Sequence, residues 1–137
     1  MNCSILVNTE SLARFGSMLA NNGMNPTTGN RILSPKTVQA VVTLMTTCGM
    51  YNGAGKFTKD LGVPSKSGVS GGLLSIIPGI GSFCTWSPPI NEEGNPVRGI
   101  GMIHKLNDLY SNFNLFHKDM NKLDVTRKPF QTKIQSI

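Results

Sequence analysis

The residues best able to do chemistry are Lys66-Ser67-Gly68, which open a segment that reads as a strand. At the rim of an acyl-transfer site, such a run offers a cation for a substrate carboxylate and a hydroxyl donor. Its glycine lets substrate approach the backbone. The next amide, that of Val69, can point into the site and donate to a developing oxyanion. A solvated strand start uses the same residue types, so the tripeptide alone leaves both readings open. Metal chemistry has less support. His104 and His117 have no cysteine or carboxylate pattern around them, and Cys3, Cys48 and Cys84 are odd in number and widely spaced. These cysteines suit reduced thiols in an intracellular compartment better than a disulfide framework.

Several elements must position that run. Asn8 and Thr9 are cap types before a helix over Glu10–Asn21, with Leu12, Phe15, Gly16 and Leu19 on one stripe. Ser34-Pro35 opens a second helix, ended by Cys48-Gly49, whose buried face is Val38, Val41, Val42 and Met45. A short helix is expected over Lys56–Leu61. Three short strands then follow, Ser65–Val69, Gly71–Ile77 and Ser82–Ser87, broken by Gly and Pro. Pro96 starts a helix to about Asn112, with Val97, Ile100, Ile103, Leu106, Leu109, Tyr110 and Phe113 at helical spacing. A short amphipathic piece, Leu115–Leu123, leads into the end of the chain. The order predicts an α+β domain: an antiparallel sheet of about three strands with the long C-terminal helix packed on it.

At 137 residues the chain has the size of one domain, and no apolar run reaches the roughly 18 residues of a membrane span. Its net charge of +6 fits a solvated basic surface, attraction to an acidic substrate or phosphate, or nucleic acid. No finger spacing or RNA-binding signature supports the last. Lys118, Lys122, Arg127, Lys128 and Lys133 crowd the C-terminal end, as in a solvated tail or a linker. Residues 1–20 carry no export signal, and Glu10 argues against a transit peptide.

K-S-G is a close analogue of the K-T-G of serine β-lactamases and penicillin-binding proteins. The surrounding residues narrow the resemblance. Cys48-Gly49-Met50-Tyr51, Gly55-Lys56-Phe57 and the run from Leu61 to Gly72 resemble the most characteristic block of the glutaminases. Trp86-Ser87-Pro88-Pro89, Gly94-Asn95 and Val97-Arg98-Gly99 fit downstream. Cys3-Ser4, Asn22-Gly23, Asn25-Pro26, Thr28-Gly29 and Leu33-Ser34-Pro35 fit upstream. The resemblance implies part of a serine β-lactamase/transpeptidase-like fold. Residues 1–113 would be the C-terminal part of a catalytic domain. Residues 114–137 would be a basic linker like that of animal-type members, from Phe116-His117 to Arg127.

The resemblance also implies an activity: hydrolysis of L-glutamine to L-glutamate and ammonia through a serine acyl-enzyme. No metal or organic cofactor is expected, and phosphate is a candidate activator. The partners it implies are L-glutamine and further copies, in dimers or tetramers of the complete protein, with no nucleic acid and no membrane. The setting is intracellular, mitochondrial or cytoplasmic. Tyr51 matches the catalytic tyrosine that relays a proton and touches substrate. A phenol is a poor base at its ordinary pKa of about 10, and a nearby lysine cation favours the phenolate. Val69 matches the residue whose N–H serves substrate and oxyanion, Ser67 the serine beside the substrate, and Lys66 a source of positive potential or an ion pair.

Asn52, Ala54 and Ser70 depart from the family's usual Asp, Ser and Gly or Ala, which removes a charge and a hydroxyl beside Tyr51. No Ser or Thr in the sequence has Lys three residues later, so the family's S-x-x-K nucleophile is expected upstream, with another tyrosine just before the position of Met1. The isolated chain is therefore expected to be an inactive C-terminal portion, poorly soluble, partly molten or oligomeric, with an apolar patch or strand edge exposed. The alternatives are a non-catalytic partner of a full-length glutaminase and, more distantly, another β-lactamase-like hydrolase or peptide binder.

Overall fold

The computed structural model of the chain describes residues 5–126. Asn8 caps the first helix, α1 (Thr9–Ala20), through a reciprocal box. Its carboxamide accepts from the Ser11 N–H at 2.8 Å, and its own N–H donates to Ser11 Oγ at 3.1 Å. Ser34 caps α2 (Pro35–Cys48) by accepting from the Thr37 N–H at 3.1 Å, with Pro35 in the first turn where no N–H is needed. A 3-10 turn, Tyr51–Gly53, runs directly into α3 (Ala54–Leu61), which therefore starts before the expected Lys56.

Three antiparallel strands follow, β1 (Ser65–Ser67), β2 (Gly72–Ile77) and β3 (Gly81–Trp86), in the spatial order β1-β2-β3. Lys66 stands opposite Leu74, which stands opposite Cys84 on the other side. β1 ends at Ser67, short of the expected Val69. The Gly68 N–H already donates to the Gly72 carbonyl at 2.9 Å, and the Gly71 N–H closes a turn onto the Gly68 carbonyl at 2.9 Å. Val69 is thus a turn residue.

The expected α+β architecture is present, with the C-terminal helix packed on a three-stranded antiparallel sheet. The last helix, α4 (Val97–Leu109), covers one face of the sheet: Leu73 and Ile77 join Ile103, Met50, Phe57 and Phe113. The opposite face is taken by α1 and α2, where Leu74 and Ile76 meet Leu19, Val38 and Met45. β2 is consequently buried along Leu73–Ile77 on both faces, like the central strand of a three-layer domain. Gly16 lets α1 seat this closely, since a Cβ there would lie 2.8 Å from Leu74 Cδ1 and 2.7 Å from Ser82 Oγ. The Ser82 hydroxyl fastens the contact by donating to the Ala13 carbonyl at 2.6 Å.

Three members of the expected apolar stripes are not core residues. Phe15 on α1 and Leu109 on α4 are exposed, as is Val97. Moreover, α4 stops at Leu109 and does not reach Asn112. Tyr110 is extended and bridges to Leu123; the Ser111 N–H donates to the Leu123 carbonyl at 2.8 Å, and the Leu123 N–H donates to the Leu109 carbonyl at 2.9 Å. The segment after α4 therefore folds back on its end as turns, and Leu115–Leu123 forms no helix. Arg127, Lys128 and Lys133 lie outside the described residues, as does Cys3. Among the described residues, no helix is long and apolar enough to cross a membrane.

Asp124 anchors this return. Its carboxyl is lowered from 3.8 to about 2, first by the Thr126 hydroxyl and then by the Thr126 N–H; Asn112 and Lys118 add to the effect and desolvation opposes it. A carboxyl lowered in the folded state stabilises above its unfolded pKa, and that contribution disappears as pH falls through the folded value. The turn should therefore loosen as pH drops from about 4 through about 2. An NMR titration of the Thr126 amide should show a midpoint near the lower end, and a midpoint near the upper end would contradict the anchoring.

Candidate active site

The site is built where the end of α2, β1 and the loop before α4 converge. Gly49 and Met50 leave α2 buried, and the chain emerges at Tyr51, whose backbone is left-handed at φ 51. A non-glycine residue held there is strained by roughly 1–3 kcal/mol and needs surroundings that over-determine it. The ring is partly open to solvent, 43% exposed, and the Lys66 ammonium lies over its face, 4.5 Å from the centroid. Lys66 Nζ also donates to the carbonyl of Ser67.

Val69 lies beside them at the tip of the turn, 66% exposed. The N–H groups of the two central residues of such a turn point outward, and among the described residues the Val69 N–H has no hydrogen-bond partner. Gly94 closes the cluster. A Cβ built there would lie 3.4 Å from Val69 Cγ1 and 3.8 Å from Tyr51 ring carbons, so the loop touches both residues. Its φ of 85 is one that only glycine adopts readily. Tyr51, Lys66 and Val69 are therefore brought together.

Ser67 is adjacent but faces inward. It is 3% exposed, and its hydroxyl donates to Asn95 Oδ1 at 2.5 Å. Asn95 is the residue that sequence reasoning passed over, noticing it only as half of a Gly-Asn pair. It is 1% exposed and spends its whole side chain internally: Oδ1 accepts from Ser67, and Nδ2 donates to the Met50 carbonyl at 2.9 Å. Its own N–H donates to Asn91 Oδ1 at 2.9 Å. Asn95 thus ties the backbone just before Tyr51 to the strand carrying Lys66, and supplies the over-determination that the Tyr51 conformation requires. In sequence, Asn91 to Asn95 reads as an ordinary solvated turn, so no local signal marks this burial.

No group of three or more His, Cys, Asp or Glu side chains suited to a metal ion occurs among the described residues. His104 and His117 are exposed, and Cys48 and Cys84 are free thiols. Burial pushes the Cys84 thiol up, with a backbone hydrogen bond from Leu73 acting the other way, and the residue packs against the apolar core cluster of α1, α2 and β2. The cluster can accordingly position and polarise an acyl substrate through a phenol, a cation and an outward amide.

A family model of the glutaminases matches residues 1–116. The chain belongs to the glutaminase family. A glutaminase of Rhizobium johnstonii is 44% identical over 104 residues, which are 76% of this chain and 34% of the relative. Glutaminase 2 of Clostridium perfringens is 42% identical over 109 residues, 77% of this chain and 35% of the relative. Among solved structures, Mglu in its glutamate form superposes with a TM-score of 0.74 at 40% identity, covering 77% of this chain and 24% of that one. The probable glutaminase ybaS gives 0.73 at 40% identity, covering 77% and 34%. This glutaminase-family chain therefore spans about a third of the length of the curated relatives it matches, and its α+β architecture is that of part of a β-lactamase-like glutaminase fold.

Proposed function

We propose that the chain supplies one side of a glutamine amidohydrolase site, with Tyr51 as the catalytic proton relay and the Val69 N–H as oxyanion donor. Lys66 sets the positive potential, and Ser67 contributes through the backbone it holds in place. The observation that carries this reading is the convergence of Tyr51, Lys66 and Val69 around Gly94, inside the stretch matched by the family. The serine nucleophile comes from polypeptide outside this sequence, because no Ser or Thr here has the i+3 lysine. On this reading residues 1–113 are the C-terminal part of the catalytic domain and 114–137 a basic linker. The substrate is L-glutamine; no metal or organic cofactor is used, phosphate is the candidate activator, and the complete protein is a homo-oligomer. Neither nucleic acid nor membrane is a partner. The free Cys48 and Cys84 support an intracellular setting, mitochondrial or cytoplasmic. Absence of the i+3 lysine pattern also favours the second reading, a non-catalytic partner of a full-length glutaminase.

The test is a chimera in which the matched stretch of this chain replaces its counterpart in the Rhizobium johnstonii glutaminase. The chain alone should release no ammonia from glutamine, whereas the chimera should. Tyr51→Phe in the chimera should lower kcat by roughly 100- to 10,000-fold, the usual contribution of a positioned acid–base group. Turnover unaffected by that substitution would remove Tyr51 from the mechanism.

A further inference from the structure

A small pocket of about 160 Å³ opens between α3, the loop of residues 91–95 and α4, and none of Tyr51, Lys66 and Val69 lines it. Its size is that of about five waters at roughly 30 Å³ each, below the roughly 300–1,000 Å³ of drug-sized sites. Buried Met50, Phe57 and Asn95 form its floor. Lys56 and Asp60 reach it from α3, Glu93 from the loop and His104 from α4. Asp60 has Lys59 as a partner at 3.6 Å. Lys56 and Glu93 carry opposite charges on this one pocket, yet no ion pair joins them. Among the described residues neither has another ionic partner. The Glu93 carboxylate is nonetheless held in place. Its Oε2 accepts from Asn91 Nδ2 at 3.0 Å, and a Cβ built on Gly53 would lie 2.7 Å from that oxygen.

We propose that this pocket binds a small zwitterionic amino acid, with its ammonium on Glu93 and its carboxylate on Lys56. A fixed anion and a fixed cation that share a cavity without meeting are both answered only by a ligand that carries both signs. A ligand of one sign leaves either Glu93 or Lys56 without a partner. Inorganic phosphate would in addition meet the Glu93 and Asp60 carboxylates. The volume restricts the side chain to about the size of that of alanine or serine. The occupant rests on Met50 and Asn95, whose hydrogen bond at 2.9 Å sets the backbone before Tyr51. The inference concerns binding and does not depend on the amidohydrolase reading.

The test is an NMR titration of the full chain with L-alanine, using acetate and methylammonium as single-charge controls. L-Alanine should shift the Gly53, Glu93 and His104 amides saturably, with a Kd on the order of 1 mM, within reach of a ligand of about six non-hydrogen atoms. Acetate and methylammonium should each bind at least roughly tenfold more weakly. Glu93→Gln and Lys56→Gln should each weaken L-alanine binding by roughly tenfold or more, whereas Lys56→Arg keeps the cation and should retain most of it. Lys105→Gln, on α4 but outside the pocket, should bind like the parent. Amide spectra away from the pocket should be unchanged in all four variants, which separates lost binding from unfolding. The parent's preference for L-alanine over its single-charge halves tests the charge pairing even if a variant fails to fold. Absence of a saturable shift, equal binding of acetate, or affinity unaltered in both charge-removing variants overturns the proposal. So do shifts confined to Lys66 and Val69, since the amino acid then binds at the site already described.

Discussion

Replacing Asn95 with leucine is expected to destabilise the chain by about 2–6 kcal/mol, because two buried polar groups then lose their partner at about 1–3 kcal/mol each. These are the Ser67 hydroxyl, which donates to Asn95 Oδ1, and the Met50 carbonyl, which accepts from Nδ2. Neither has water as a substitute, since Ser67 is 3% and Met50 1% exposed. The carbonyl of Gly49 lies 3.5 Å from the Ser67 hydroxyl, a poor replacement at that distance. Urea unfolding measures the loss directly. Asn95→Asp separates the two bonds: it keeps an acceptor for Ser67 but removes the donor to Met50 and buries a carboxylate, so it should not rescue stability. An aspartate variant as stable as the parent would show that the Met50 bond contributes little. In the chimera, either substitution should also reduce turnover, because the backbone before Tyr51 loses its tie to β1.

The second large effect is expected at Gly49. A Cβ there would lie 1.8 Å from the Ser65 carbonyl oxygen and 2.3 Å from that of Met45. Both obstacles are backbone, so no side-chain rotation relieves the clash, and β1 would have to move away from the end of α2. Overpacking costs about 1–3 kcal/mol even where neighbours can shift, so Gly49→Ala should lose about 3 kcal/mol or more. It should also break the bond from the Ser67 N–H to the Gly49 carbonyl, now 3.1 Å. Gly55→Ala is the matched control. Gly55 lies in α3 with nothing within 4 Å of an added Cβ, so alanine there should stabilise by up to about 1 kcal/mol through helix propensity. Thermal melts of the two variants should therefore move in opposite directions, and equal shifts would refute the close-approach explanation.

These two residues show where legibility in the sequence ends. Gly49 reads as a helix terminator, which it is, but the terminator role alone would permit alanine at its ordinary helical φ of -70. Its need for glycine comes from Ser65, on a different element. Asn95 bonds to partners 28 and 45 residues away, and no local window contains either pair. Phe15 illustrates the same limit from the other side: helical spacing places it on an apolar stripe, but spacing cannot say which part of a stripe meets the sheet and which stays exposed.

What the sequence determined by itself was local. Asn8 and Ser34 set helix starts because their side chains satisfy amides three residues away. Gly71 and the Pro78-Gly79 pair set where strands turn, because backbone conformation there depends on residue type. The block from Cys48 to Gly72 indicated the family, since several motifs agree in order. Tertiary structure alone decided which helix covers which face. An amphipathic helix packs equally well on either side of a strand whose two faces are both apolar, and β2 is such a strand. It also decided that the Ser67 hydroxyl turns inward to Asn95, because that bond exists only once distant segments meet.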